Sequence, residues 1–593
     1  MTPPTSGESA GALSIERSRQ RQLGRATALS AGGTIVSRVS GLLRLVVIAY
    51  ALGSSSLADA FNLSNNTPNM IHDLVLGGVL AATFVPVFVE RLTHATREEA
   101  MDSISAVLTV AGMMLVIATV AFILLAPAII DLYTFGLKNL AERAVAVELL
   151  RFFAPQLLFY GAISLMTAVL ATQDRFAAAG IVPVINNVVG IIVLASFAAL
   201  AHTADAATAS SHQGLIMLLG IGTTLAVGLQ AFALVPALRR CGVRLRFRFH
   251  PGDPAVSMIL SMSGWTFAFV VANQVAVFVI MALATHLGAV SVYTYAFTFF
   301  QFPFAIAATS IIAVATPQIA RAYTKRDTAL VGATFGKAVA QVLTVILPSM
   351  VGYLLLARPA MTLVLQHGNL GASGAQLTGA VLILFALGLP GFCVFFLATR
   401  TFQAMRDTRT TFALYLFENA LNIAIAIALY HRLGAQGLAL SYSIAYTLSA
   451  LGAVYLLRER LGTIGGRSVV RSSVRALVLS LLMAVVVALL VAVIGTGTGI
   501  SGWLRLVVAI TAGIGTYVFG AGVAGVLGKR RSRQRQLRRR RPAKRQTVIP
   551  IANYQRGEAR ENRSGNRQLK RLTSIRLRSR GRHFRASRRP PRR

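Results

Sequence analysis

The sequence predicts an all-α integral membrane protein of about fourteen transmembrane helices, arranged as two pseudo-symmetric six-helix lobes plus two extra C-terminal helices. Three observations carry this. Of 593 residues, 55% are hydrophobic and only 13% charged, with a mean hydropathy of +0.64, which is more apolar surface than a water-soluble fold can bury. Apolar runs of about 20 residues recur, each long enough to cross roughly 30 Å of hydrocarbon as a helix and about twice the length of a barrel strand. Lipid offers no partner to backbone N–H and C=O groups, so segments of this length span as helices. The third observation is an internal repeat, described below.

The expected spans are 28–52, 57–89, 104–131, 145–172, 177–200, 214–237, 255–286, 290–319, 330–357, 376–404, 410–430, 435–457, 473–494 and 502–527. They divide the chain into a polar N-terminal tail (1–27), a first lobe (28–240), a basic loop (241–254), a second lobe (255–460), helices 13 and 14 (461–528) and an Arg-rich tail (529–593). The N-terminal tail lacks the compact apolar region of a secretory signal. Lys and Arg concentrate in the loops RRCGVRLRFRFHPGD, RAYTKRD, MRDTR and RERLGTIGGRSVVR, whereas LGSSS, HTADAATASSHQG, HLGA and GTGTGIS are nearly free of them. By the positive-inside rule both termini are expected in the cytoplasm, with Lys138, Arg143, Arg358 and Arg432 as the minority on the other side.

The repeat pairs LGSSSLADAFNLSNNTP (52–68) with LGAVSVYTYAFTFFQFP (287–303): each opens on Leu-Gly and places a Pro fifteen residues after the Gly. Pro155 matches Pro390 at the same offset, and Asp174 and Asn186 match Asp407 and Asn419 at nearly that offset. A repeat of six helices, an even number, inserts both copies in the same direction, the parallel-repeat form of a transporter with its site between the halves.

The formal charge is +38, but 26 of the 58 basic residues lie beyond residue 528. Such a self-repelling, apolar-poor tail is expected to be disordered, either as a solvated reinforcement of cytoplasmic placement or attracted to anionic inner-leaflet lipid or an acidic partner. Nucleic acid is disfavoured as a partner, because no folded RNA module or interleaved aromatics accompany the charge. Cys241 and Cys393 provide no disulfide framework. The histidines are scattered singly, so no catalytic or metal-ligating constellation is expected.

The charges inside the apolar runs are the candidate site. Arg38 and Arg44 stand in the first span, about 120° apart around a helix and about 9 Å along it, with Ser37, Ser40 and Gly41 between or beside them. Each is costly in hydrocarbon. Either they satisfy backbone carbonyls or a carboxylate between packed helices, or they face a wide watered cavity and offer guanidinium forks to phosphate or carboxylate groups. The second reading is preferred, and it makes the cargo anionic; exporters of cationic drugs would carry carboxylates there. Outward movement of an anion gains about 2.3 kcal/mol per charge per 100 mV from an inside-negative potential. Asp59 is expected to act in gating or positioning, paired with Arg44 or as an interfacial acid favoured by a helix dipole. His72 and Asp73 either line a cavity or form a packed polar kink near Pro68. Arg400 and Glu418 are expected to form a buried structural ion pair. No cofactor is expected; coupling to membrane potential or to an ion is, with the ion unidentified.

The stretch SRVSGLLRLVVIAYALGSSSLADAFNLSNNTPNMIHDLVLGGVLAATFVPVFVERL resembles the MurJ (MviN) lipid II flippases, within the superfamily that includes MATE exporters and polysaccharide-lipid flippases. The residues that carry it are Ser37-Arg38-Val39, Gly41, Arg44, Gly53, Asp59-Ala60-Phe61, Pro68-Asn69, Phe84-Val85-Pro86 and Glu90, with weaker agreement at LATQDRF, YTYAFTFFQFP, ATPQIARAY and AMRDTRTT. The resemblance implies a bacterial cytoplasmic-membrane protein that flips undecaprenyl-pyrophosphate-linked peptidoglycan precursor to the outer leaflet by alternating access. It places the head group in the central cavity and the lipid tail beside helices 13 and 14, with cell-wall synthesis or division proteins as partners. The chain departs from that pattern at Leu45, where relatives often have an acid, at His72-Asp73, where they often have basic residues, and near Thr298, where they have an arginine. Rival readings are a flippase for another anionic lipid-linked oligosaccharide, a membrane enzyme of lipid-linked glycan assembly, and a passive scaffold carrying a basic tail.

Overall fold

The computed structural model describes residues 32–33, 36–72, 97–134, 140–172, 180–201, 205–240, 247–250, 252–253, 264–494 and 499–523. Among the described residues all regular structure is helical. The first repeat contributes α1 (36–52), α2 (Ser56–His72), α3 (Arg97–Tyr133), α4 (Leu140–Phe153), α5 (Gln156–Thr172), α6 (Pro183–Leu200) and α7 (Gln213–Arg240). The second contributes α8 (Gly264–His286), α9 (Val290–Pro303), a π-helical turn Phe304–Ala308, α10 (Thr309–Thr324), α11 (Thr328–Leu365), α12 (Ala372–Ala404), α13 (Thr408–Leu433) and α14 (Ala435–Leu461). Then come α15 (Gly466–Ile494) and α16 (Gly499–Val523).

Eleven helical stretches among the described residues are long and apolar enough to cross a membrane, and they fall on eleven of the expected spans. Of the other three, 28–52 and 57–89 are described only in part, and 255–286 shows a shorter apolar helix, Val270–His286. Large apolar side chains point outward along these helices, Leu124, Phe232, Val493 and Phe519 among them. A water-soluble protein does not expose such continuous apolar surface. The chain is a multi-pass membrane protein.

Helix interruptions follow the prolines. The expected fourth span is broken where Pro155 ends α4 and α5 begins, because proline lacks the N–H and crowds the preceding turn. Its repeat mate Pro390 lies inside the unbroken α12. At Pro303 the ladder slips into the π turn that joins α9 to α10, a device frequent at functional sites. The repeat is visible in backbone conformation too: Gly53 and Gly288 open matching turns at φ 69° and 58°, in the left-handed region that favours glycine.

Within the second repeat, α12 packs between α11 and α14, and α13 between α14 and α8. In the first repeat, α7 packs on α5 and α6, and α2 on α4. One apolar core crosses both repeats, with Leu52, Phe61 and Phe153 on one side and Tyr295, Phe300 and Phe385 on the other. The described residues accordingly form one compact unit. A separate cluster, including Val351, Met483 and Leu506, seats α15 and α16 on α11, and the Tyr517 hydroxyl donates to the Thr344 carbonyl at 2.5 Å. The two turns after α10 and α12 share one construction: Arg326 and Arg406 adopt positive φ, and Asp327 and Asp407 accept from the N–H groups of Leu330 and Thr410, each at 2.9 Å. These are side-chain caps for the orphan donors of the next helix. The expected tails, 1–27 and 529–593, and most of the loop 241–254, including Cys241, lie outside the described residues, as do Asp174 and Lys138.

Candidate functional site

A cavity of about 490 Å³ opens between α1 and α6 of the first repeat and α9 with its π turn in the second; Ser37, Arg38, Gly41, Asn187, Thr298 and Gln301 line it. Small residues create the space: Gly41 on α1 and Gly180 before α6 hold no side chain there, and Phe302 at the end of α9 and Ala305 in the π turn form the opposite wall. The α1 wall is fixed by Asn187, whose Nδ2 donates to the Ser37 carbonyl at 3.1 Å and to Ser40 Oγ at 2.9 Å. Arg38 is exposed in the cavity. None of the described lining residues is acidic. The Arg38 guanidinium, the Ser37 hydroxyl and the Gln301 carboxamide form a donor set suited to anionic oxygens, while Asn187 Nδ2 and Thr298 Oγ1 donate within the protein.

Arg44 is placed differently. Its side chain lies against α6, where the missing side chain of Gly190 makes room: a Cβ there would meet Arg44 Nε at 2.8 Å. Its Nη1 donates to Asn186 Oδ1 at 3.2 Å, and Nε has no hydrogen-bond partner among the described residues. Tyr160 of α5 is within electrostatic reach. So Ser37, Arg38 and Gly41 come together on the cavity, while Arg44 sits between helices of the first repeat, as the 120° separation around α1 dictates.

At the far end of α1, about 22 Å from Arg38 by helical rise, the two repeats are bonded together. Asp59, in the first turn of α2, is 3% exposed and accepts from the backbone N–H groups of Ser291 at 2.8 Å and Val290 at 3.3 Å. These are first-turn donors of α9, whose own N-cap position, Ala289, supplies no side-chain acceptor. Asp59 therefore caps a helix of the other repeat, where the dipole favours a negative charge; in this conformation it is not paired with Arg44. Asn62 Nδ2 donates to Ser291 Oγ at 3.0 Å and the Tyr295 hydroxyl to the Gly53 carbonyl at 2.9 Å. The loop between α11 and α12 completes the closure: Asn369 donates from its backbone to the Tyr50 carbonyl and from Nδ2 to the Ala51 carbonyl, at 2.9 and 2.7 Å. A side chain at Gly53 would run into Asn369.

Other expected residues divide. The His72 ring is 3.0 Å from Ser164 Oγ, between α2 and α5; Asp73 lies outside the described residues. The expected ion pair of Arg400 and Glu418 does not form. Arg400 is exposed, donates to Gln403 Oε1 at 3.0 Å and lies over the Phe396 ring. Glu418 is 1% exposed, beside Tyr446. The two were paired because both stand a few residues inside their helix ends, but spacing from an end does not fix the face of a helix. Sequence reasoning passed over Asn187, Gln301 and the latch residues Asn62, Ser291, Tyr295 and Asn369. A polar amide inside an apolar run marks Asn62 and Asn187; nothing in the sequence marks Asn369.

Long apolar helices in two matched sets, a donor-rich cavity between the sets and a bonded closure at one end of it define a transporter of the MATE-like class. Solved structures agree on the fold: a lipid II flippase MurJ in an inward closed conformation matches with a TM-score of 0.68 at 22% identity, over 84% of this chain and 99% of that one. An inward-facing multidrug resistance MATE family transporter of the MOP superfamily matches at 0.60 and 15% identity, over 71% and 94%. The family model "Lipid II flippase MurJ" matches residues 48–508, and the chain belongs to that family. Relatives named probable lipid II flippase MurJ include that of Rhizobium meliloti, 28% identical over 424 residues, which are 71% of this chain and 78% of the relative. That of Rickettsia prowazekii is 25% identical over 422 residues, 70% and 81% of the two chains.

Proposed function

We propose that the chain moves lipid II, the undecaprenyl-pyrophosphate-linked peptidoglycan precursor, from the inner to the outer leaflet of the bacterial cytoplasmic membrane by alternating access. The observation that carries this reading is Arg38, exposed on a cavity between the repeats whose described lining holds no acid and whose opposite end is closed. With both termini in the cytoplasm, an orientation the loop charges support, the cavity faces inward and the Asp59 latch closes the periplasmic end. A pyrophosphate entering the cavity meets the Arg38 fork, with the Ser37 hydroxyl and the Gln301 carboxamide able to bond the remaining oxygens. Arg44, six residues nearer the latch, is the second phosphate contact, reached as the latch opens and the cavity extends along α1. An anionic cargo leaving a negative interior is driven by the membrane potential at about 2.3 kcal/mol per charge per 100 mV.

The test is depletion in the native host with complementation by wild type or Arg38→Gln, followed by leaflet-resolved labelling of lipid-linked precursor. Precursor retained on the cytoplasmic face by a stably expressed Arg38→Gln is the expected result. Normal outer-leaflet precursor with that variant would remove the proposed role of the side chain.

A further inference from the structure

A charged cavity outside the site described above lies at the latch end of the second repeat. It encloses about 700 Å³ between α11, the first turns of α12 and α14, the end of α15 and the first turns of α16. Two arginines line it, Arg358 from α11 and Arg505 from α16, and no described lining residue is acidic. The salt bridges among the described residues join other arginines, Arg143, Arg248 and Arg460, to their carboxylates. The neutral polar lining residues include Ser373 and Gln436, each the second residue of its helix, α12 and α14. Neither helix has a side-chain cap: the N-cap positions are Gly371 and Gly434. Orphan first-turn N–H groups and the positive ends of two helix dipoles thus face the same space as two uncompensated guanidinium groups.

Positive charge at this end runs against the distribution of Lys and Arg in the rest of the membrane domain, and a bound anion accounts for it. The remaining walls are hydrocarbon, from Leu356, Leu363, Leu377, Leu490 and Val491. On α15 and α16 the neighbouring Leu489, Val493 and Leu504 are exposed on the outer surface. A hydrated inorganic anion would leave those walls uncovered, whereas a head group carrying acyl chains covers them.

We propose that this cavity binds the phosphodiester head group of an anionic glycerophospholipid, gripped by Arg358 and Arg505 with its chains along α15 and α16. The lipid then joins the last two helices to the second repeat through side chains none of which lines the Arg38 cavity. Naming its leaflet as the outer one rests on the orientation proposed above; the binding does not. The first turn of α12 lies beside the latch, since a Cβ at Gly374 would be 2.7 Å from Ser54 Oγ.

Trp503, two residues before Arg505 and 42% exposed, is a built-in reporter. With Trp265→Phe leaving it as the sole tryptophan of full-length protein in nanodiscs, brominated phosphatidylglycerol should quench its fluorescence saturably, at a mole fraction about tenfold lower than brominated phosphatidylcholine. Arg358→Gln/Arg505→Gln should abolish that preference; Arg467→Gln/Arg471→Gln, in the arginine-rich pocket beside α15's other end, should keep it. Equal quenching by the two lipids in the Trp265→Phe protein overturns the proposal without reliance on the double variant's folding. Thermal protection of lipid-depleted protein by millimolar inorganic phosphate, equal to that given by phosphatidylglycerol, would overturn the lipid as occupant.

Discussion

Asp59→Asn should loosen the closed end by an amount the geometry sets. The carboxylate accepts two backbone N–H groups of α9, at 2.8 and 3.3 Å, from a buried position. An asparagine can keep its carbonyl toward Ser291, but its NH₂ then faces the Val290 N–H, donor against donor. One hydrogen bond and the charge assistance of the other are lost, about 1.5–3 kcal/mol for bonds to an ionised group. If the unlatched state gains all of this, its population rises roughly 10- to 150-fold. The reporter is Ser291→Cys, fully buried and bonded across the repeats to Asn62, in a background lacking Cys241 and Cys393. Alkylation of that thiol by a bulky maleimide in detergent proceeds through the unlatched state, so its rate tracks that population while the population is small. Asp59→Asn in the same background should accelerate alkylation by the same factor. An unchanged rate, with unchanged thermal stability, would refute the claim that this carboxylate holds the repeats together.

Four further outcomes are expected. In Ser54→Cys/Gly374→Cys the two Cβ atoms would stand 3.4 Å apart, at the short end of disulfide spacing; oxidation should cross-link α1–α2 to α12 and stop precursor flipping, and a reductant should restore it. Arg400→Gln should cost about 1 kcal/mol or less in thermal unfolding, since its charge is exposed and its ring contact modest; a loss of 3–5 kcal/mol would mean that it neutralises buried Glu418 after all. Gly190→Ala pushes a methyl group toward Arg44 and should destabilise by about 1–3 kcal/mol, with Gly190→Ala/Arg44→Ala recovering part of the loss. For Asp407, burial alone would raise the carboxyl's pKa, but bonds from Thr410 and Arg460 outweigh it and hold the group below the usual range. A lowered folded pKa gives stability that is present above the unfolded value of about 3.9 and lost as pH falls through the folded one; unfolding titrations of wild type should show that acid step and Asp407→Asn should not.

The helical class, the span positions and the repeat were legible because hydrocarbon imposes a one-dimensional rule: a run of apolar residues long enough to cross must be a helix, wherever it packs. Gly53 and Gly288 were found by spacing alone and prove to share a left-handed turn. Side-chain direction was less legible. Arg38 and Arg44 look equivalent in a hydropathy trace, yet the 120° between them sends one to the inter-repeat cavity and the other to α6. For Asp59 the sequence left open a pairing with Arg44 or an acid favoured by a helix dipole; the carboxylate meets the dipole of a helix more than two hundred residues away. Arg400 and Glu418 failed as a pair for the same reason that Asp59 could not be assigned a partner: depth in a helix is readable from sequence, azimuth across packed helices is not.

The cavity and the latch share helices, which ties the site to the motion. α1 carries Arg38 at one end and Tyr50, Ala51 and Gly53 at the other, and α9 carries Thr298 and Gln301 below the Ser291 and Tyr295 that hold the latch. Anything that draws Arg38 and the α9 wall together around an anion therefore acts on the same two rigid rods that the latch joins some four turns away. The π turn after Pro303 is the compliant element at the cavity end of α9, where it joins α10, since a slipped hydrogen-bond ladder shifts register at less cost than a regular one. On this reasoning the cargo's charge need not reach Asp59 to release it. It has only to change the angle between α1 and α9, and a substitution that stiffens the π turn should slow release while leaving Arg38-dependent binding intact.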